Sequence, residues 1–174
     1  MTAQAGRSCS RYRICRHRIA RSRWFAGVDQ RGRPVIVAVI GSNGAGKSTL
    51  LNAAMGISPT DGNAAGMIRY GGDDVSAWSV EERVVRGMYL VPGRRALMGK
   101  PNLWVLDEPS LGVAPLIVKD MFRIISALRE TGVVTPVVEQ NARATLQISD
   151  YGYVLETGEQ ILKIAQPSLQ TALG

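Results

Sequence analysis

The most constraining stretch of the 174-residue chain is an apolar run that ends in glycine and opens into a glycine-spaced loop. Val35-Ile36-Val37-Ala38-Val39-Ile40 is largely β-branched and does not alternate with polar residues. That pattern predicts a strand buried on both faces, the kind found inside parallel sheets. Gly41-Ser42-Asn43-Gly44-Ala45-Gly46-Lys47-Ser48 follows and matches G-x-x-x-x-G-K-[ST]. Leu50, Leu51, Ala54 and Met55 then predict a helix over 47–55 that stops at Gly56.

The residue types in this loop suit one chemistry. Gly41, Gly44 and Gly46 let the backbone turn tightly, so that successive N–H groups point inward at an anion. The start of the following helix adds the positive end of its dipole. Lys47 supplies a mobile cation for the outer phosphates of a nucleotide, and the Ser48 hydroxyl is placed to ligand Mg²⁺. Such a site needs a second carboxylate for the metal. Leu103-Trp104-Val105-Leu106 is an apolar run that delivers Asp107 and Glu108 at its end. Asp107 is the expected metal carboxylate, and Glu108 the group that orients or deprotonates the attacking water.

The rest of the chain alternates strand and helix signals. Pro59–Gly66 is a turn-rich loop, followed by a strand near Met67–Tyr70 and a Gly71-Gly72 turn. Ser79 caps a predicted helix over 80–86, with Glu82 at the capping-box position. Met88–Val91 reads as a strand ended by Pro92-Gly93. Pro115 to Glu130 has amphipathic spacing through Leu116, Met121, Ile124, Ile125 and Leu128. Val133–Val138 is a strand candidate weakened by Pro136, which cannot donate to a central ladder. A helix over 141–148, a strand at 151–155, a turn at Thr157-Gly158 and a strand at 160–164 complete the order. This succession predicts an α/β fold with a mainly parallel sheet flanked by helices.

Charge divides the chain in two. Nine arginines against Asp29 leave residues 1–33 at +8, while the remainder holds 12 basic and 13 acidic residues, a net −1. The division expected is a basic arm over 1–33 and a folded body over 34–174. Clustered arginines suit nucleic acid, an anionic membrane surface or an organellar transit peptide. A solvated, poorly ordered tail is the expectation for such a charge block, and nucleic acid is not the expected partner. Cys9, Cys15 and His17 are spaced C-x5-C-x-H, unlike the pairs that zinc uses, so no zinc site is expected. Two cysteines build no disulfide framework, and a reducing compartment is the natural reading. No apolar stretch approaches the roughly 18 residues of a membrane helix.

Together, Gly41–Thr49 and Leu106-Asp107-Glu108-Pro109-Ser110-Leu111-Gly112-Val113-Ala114-Pro115 resemble the ATP-binding subunits of ABC transporters. Leu90–Arg95, Val138-Glu139-Gln140-Asn141-Ala142-Arg143 and Tyr151–Gly158 look most like the subunit serving branched-chain amino-acid importers. The resemblance covers residues 34–165. It implies a P-loop NTPase fold, ATP and Mg²⁺ as ligands, and ATPase activity. ATP would lie on Gly41, Ser42, Asn43, Gly44, Ala45, Gly46, Lys47, Ser48 and Thr49, with the metal at Ser48 and Asp107. Glu108 and Gln140 would be the catalytic pair, Gln140 taking the switch position after the last core strand. Ser110-Leu111-Gly112 would be the D-loop at a dimer interface. The implied partners are membrane subunits and a second ATP-binding subunit, and the implied location is cytoplasmic, at the inner face of the plasma membrane.

The chain also departs from the family pattern. Lys47 and Asp107 are separated by only 60 positions, an interval that in the family includes a helical subdomain. A Leu-Ser-Gly-Gly-type signature, which completes the partner's ATP site, appears nowhere, and the Q-loop residue between Pro92 and Gly93 is missing. The two N-terminal strands and the adenine-stacking aromatic are not expected within 1–33, where Tyr12 and Trp24 sit in unmatched surroundings. Slow hydrolysis at best is the expectation, because the missing loop supplies charge stabilisation to the transferring phosphoryl group.

Overall fold

In the computed structural model the described residues are 35–57, 67–92 and 101–165, together with the backbone of two short strands at 13–15 and 23–26. In chain order the strands are β1 (Arg13–Cys15), β2 (Arg23–Ala26), β3 (Ile36–Gly41), β4 (Met67–Tyr70), β5 (Asp73–Asp74), β6 (Met88–Pro92), β7 (Leu103–Asp107), β8 (Thr135–Glu139), β9 (Tyr151–Glu156) and β10 (Glu159–Ala165). The helices are α1 (Lys47–Ala54), α2 (Val80–Val85), α3 (Pro115–Leu128) and α4 (Ala142–Ile148). The predicted loop at Pro59–Gly66 lies outside the described residues, as do the Cys9 and His17 positions.

Six strands form the main sheet in the order β10-β9-β3-β8-β7-β6. All neighbours are parallel except the β9–β10 hairpin at one edge. β3 sits inside this sheet, and its period-two alternation feeds three clusters on the two faces of the sheet. Val35, Val37 and Val39 pack with Leu50, Leu51 and Met55 of the α1 side. Ile36 joins Phe122 and Ile125 of α3, while Ala38 and Ile40 join Leu146 of α4. A strand covered on both faces has no polar side to show, which is why its sequence is continuously apolar.

The second sheet, in the order β2-β1-β4-β5, is antiparallel throughout. Tyr70 and Val75 carry it onto the core that includes α1. Two stretches of the basic arm are therefore strands, and the expected lack of N-terminal strands does not hold. Charge patterning reports how a segment meets water, and it is blind to main-chain pairing with β4.

Pro136 is placed differently from its sequence expectation. It lies in β8, between β3 and β7. The β3 ladder runs through it unbroken, with Val37 opposite Pro136. Val134 N–H donates to Asn102 and Thr135 N–H to Val35, so the alternation aims the donor position of residue 136 at β7. The β7–β8 ladder is interrupted there: Leu103↔Val134 stands as an isolated bridge, and pairing resumes at Leu106↔Val137. One missing donor is accommodated by one gap.

β6 and β7 are parallel neighbours joined by residues 93–102 alone. Parallel crossovers usually take a dozen or more residues, most often a helix. The short connection agrees with the missing helical subdomain.

Candidate functional site

The carboxyl ends of β3, β7 and β8 meet at one end of the sheet, the place where open α/β folds bind ligands. β3 delivers Gly41, and the loop turns through Gly44 and Gly46, with φ of 79° and 92°. Gly41 has a second reason to be glycine, since a Cβ there would lie 2.5 Å from the Leu155 carbonyl oxygen of β9. Ala45 is buried, and its carbonyl accepts a hydrogen bond from Gly158 N–H at 3.0 Å. Thr157 and Gly158, with φ of 47° and 81°, form the two-residue turn between β9 and β10. The last hairpin thus buttresses the loop.

Helix starts in this molecule differ in a telling way. α2 opens on a complete capping box, with Glu82 N–H on the Ser79 hydroxyl and Ser79 N–H on the Glu82 carboxylate. α4 opens on Asn141, whose side chain accepts from Ala144 N–H. α1 opens on Gly46 with no side-chain cap and no acid in its first turn. The leading N–H groups of a helix have no partner inside it. α3 also opens without a side-chain cap or a first-turn acid, but there Pro115 removes one N–H; α1 has no such proline, and its leading N–H groups are available to an anion. Ser42, Asn43, Gly44 and Ser48 are exposed on this loop, and Thr49 is half-buried in the first turn.

Lys47 is only 4% exposed, and its Nζ donates to the carbonyls of Gly41 and Ser42, each at 3.0 Å. The ammonium is held over the loop. Ser48 Oγ donates to Asp107 Oδ1 at 3.2 Å, which joins the start of α1 to the end of β7. Burial pushes the Asp107 carboxyl above its ordinary 3.8; the Ser48 hydrogen bond opposes this, Glu108 adds to it and Lys47 opposes it. A hydroxyl and a carboxylate side by side are hard oxygen donors, the set that Mg²⁺ prefers. Among the described residues no group of three or more His, Cys, Asp or Glu could hold a metal ion.

Glu108 follows Asp107 in an unusual backbone conformation, with φ at 47°. A non-glycine residue there stores about 1–3 kcal/mol and persists only where its surroundings hold it. Its N–H donates to Val138 O at 2.9 Å, and its carbonyl accepts from Leu111 N–H at 3.1 Å. Gln140 Nε2 donates to Glu108 Oε1 at 3.0 Å, so the two predicted catalytic side chains touch. Ser110 is bound on both its N–H and its hydroxyl by Glu139, each at 2.7 Å. Leu111 is 61% exposed, and Gly112 turns the chain with φ at 69°. Every candidate residue is thus described, and contacts join Lys47 to the loop, Ser48 to Asp107 and Glu108 to Gln140. Sequence reasoning missed Glu139, whose only signal was an acid at the end of a strand that is otherwise fully buried.

The chain matches the family model for ABC transporter domains over residues 32–91. It is 33% identical to the high-affinity branched-chain amino acid transport ATP-binding protein BraG of Pseudomonas aeruginosa, over 78% of this chain and 83% of that protein. This chain belongs to the ABC transporter ATP-binding family. Another member, the lipopolysaccharide export system ATP-binding protein LptB of Escherichia coli K12, is 26% identical over 72% of this chain and 77% of its own length. Among solved structures, an ABC ATP-binding cassette in its ADP conformation, MJ1267, superposes with a TM-score of 0.66 at 18% identity, covering 80% of this chain and 84% of that one. A nucleotide-free ABC cassette gives 0.67 at 18% identity, with coverage of 80% and 83%. These likenesses show the ABC cassette fold. Membership makes the chain an ABC-type ATPase by resemblance. The BraG alignment runs over 197 positions, more than the 174 residues of this chain, so BraG has residues inside the matched stretch that this ABC chain lacks.

Proposed function

We propose that the chain binds Mg-ATP between the Gly41–Thr49 loop and the ends of β7 and β8, as the ATP-binding subunit of an ABC importer for branched-chain amino acids. The observation that carries this reading is the uncapped start of α1, with Lys47 held over it and the Ser48–Asp107 contact beside it. Backbone N–H groups and the Lys47 ammonium bind the phosphate oxygens. Ser48 and Asp107 would hold Mg²⁺, which supplies positive charge to those oxygens when bound. Glu108 faces the attacking water and takes its proton, and Gln140 keeps the Glu108 carboxylate in place. The importer assignment is supported by the higher identity to BraG than to LptB. The partners on this reading are membrane subunits and a second ATP-binding subunit, at the inner face of the plasma membrane.

A second reading is favoured by the missing signature and Q-loop: a nucleotide-binding module without productive hydrolysis. Isothermal calorimetry with Mg-ATP tests what the two share. Binding is expected for the intact chain and a loss of about tenfold or more for Lys47→Ala, the worth of a charged hydrogen bond. No heat of uptake at millimolar ligand overturns both readings. Single-turnover assays separate them, since only the first predicts a Lys47-dependent release of phosphate.

A further inference from the structure

β8 ends in two adjacent side chains with different surroundings. Gln140 is exposed and reaches Glu108, whereas Glu139 is 2% exposed. A buried carboxylate is costly unless its oxygens are hydrogen-bonded. Both Glu139 oxygens are committed to one residue: Oε1 accepts from Ser110 N–H and Oε2 from Ser110 Oγ, each at 2.7 Å. These are short, charge-assisted bonds that fix orientation as well as distance. They hold Ser110 two residues beyond Glu108, the residue with φ at 47°. With Glu108 N–H on Val138 and Leu111 N–H on the Glu108 carbonyl, they bracket that backbone from both sides.

We infer that Glu139 is a positioning residue for hydrolysis: by clamping Ser110 it keeps Glu108 in its left-handed conformation, with the carboxylate beside the Gln140 amide. Released from the clamp, the 108–111 turn relaxes toward ordinary backbone angles and carries the carboxylate away from the end of β7. The phosphate loop does not pass through this link; of the proposed Mg-ATP contacts only Asp107 adjoins the clamped turn. The loop that holds phosphate belongs to β3 and α1 and is braced by Gly158, on the far side from Ser110. The inference rests on the reading of Glu108 as the group that faces the attacking water.

The test uses the full chain, with single-turnover phosphate release from Mg-ATP and calorimetry measured in parallel. Glu139→Ala is expected to slow release by about tenfold to a hundredfold, the size of effect that misplacing a reacting group produces. Its Mg-ATP dissociation constant is expected to stay within about twofold of the parent, the change that positioning alone leaves in binding. Glu139→Gln still accepts from Ser110 N–H and donates to its hydroxyl, so it is expected to restore the rate to within about threefold. An unchanged rate in Glu139→Ala overturns the inference. So does a loss of affinity that matches the loss of rate, or a Glu139→Gln variant as slow as Glu139→Ala. An intact chain that binds Mg-ATP yet releases no phosphate overturns it too, because there is then no step to position. An intact chain that binds no Mg-ATP sinks the nucleotide reading and this role together, a pattern distinct from the others, in which binding persists. If Glu139→Ala does not fold, Ser110→Ala carries the test: it keeps the N–H bond and loses the hydroxyl bond. Slowed release at unchanged affinity is then expected, and an unchanged rate overturns the inference.

Discussion

Asp107 is held at a disadvantage by its own position. Its carboxyl titrates above the ordinary 3.8 because burial penalises the charge more than Ser48 and Lys47 relieve it. Between 3.8 and that raised value the native chain binds more protons than the unfolded one, so stability falls as pH rises through this window. Above both values the penalty is constant. Asp107→Asn is therefore expected to melt at a higher temperature than the parent at pH 7. It should also flatten the pH dependence above 3.8, and thermal melts from the acid range up to pH 7 check both outcomes. A lower melting temperature at pH 7 would contradict the sign. Gly41 gives the opposite case. Gly41→Ala drives a methyl into the Leu155 carbonyl, at a cost of about 1–3 kcal/mol readable by denaturant titration.

At the scale of elements, the C-terminal end of α1 depends on a residue that the sequence does not advertise. Arg83 on α2 is 1% exposed, and its guanidinium donates to the carbonyls of Ala54, Trp78, Val75 and Ser76. It closes α1 and ties α2 to the turn after β5. Desolvation lowers its pKa, but four carbonyl acceptors keep the buried cation hydrogen-bonded. A lysine offers one compact charge in place of a planar fork. Both Arg83→Lys and Arg83→Met are expected to destabilise by about 2–4 kcal/mol, from lost hydrogen bonds and stranded carbonyls. The check is faster amide exchange over residues 52–57 in each variant. Equal exchange in Arg83→Lys would show that charge alone suffices there.

The same scale shows why some features were legible and others were not. β3, the loop and α1 declare themselves, because burial on both faces and tight turning leave continuous apolar and glycine signatures. Asp107 and Glu108 follow from an apolar run that ends in acids. Pro136 misleads, since a rule about donors does not say which neighbour loses one; here the loss falls on β7 while the β3 ladder stays whole. Glu139 and Arg83 are invisible for a related reason. A charged residue reads as surface until the fold supplies partners, and those partners include Ser110, 29 positions from Glu139, and the Ala54 carbonyl, 29 positions from Arg83. β1 and β2 escape because arginine-rich composition masks strands that pair through the main chain.

For the whole molecule, the second sheet joins the basic arm to the body through β1 and β4. A chain lacking residues 1–33 loses β1 and leaves β4 an open edge, and such edges recruit other chains. A lower melting temperature and association that grows with concentration are expected, by calorimetry and light scattering. A monomeric chain of undiminished stability would show that the arm is dispensable.

The position of β3 has a consequence for how the protein is made. It is synthesised well before its two neighbours, β8 and β9, which come about a hundred residues later, Ile36 meeting Thr135 and Val37 meeting Tyr151. During translation this greasy strand leaves the ribosome with both rims open, and it stays so until about a hundred further residues have been made. A nascent chain stalled before β9 should be a favoured client for holdase chaperones and an easy target for proteases. The nucleotide cradle, which leans on the β9–β10 hairpin, can take its shape only once that hairpin has been made.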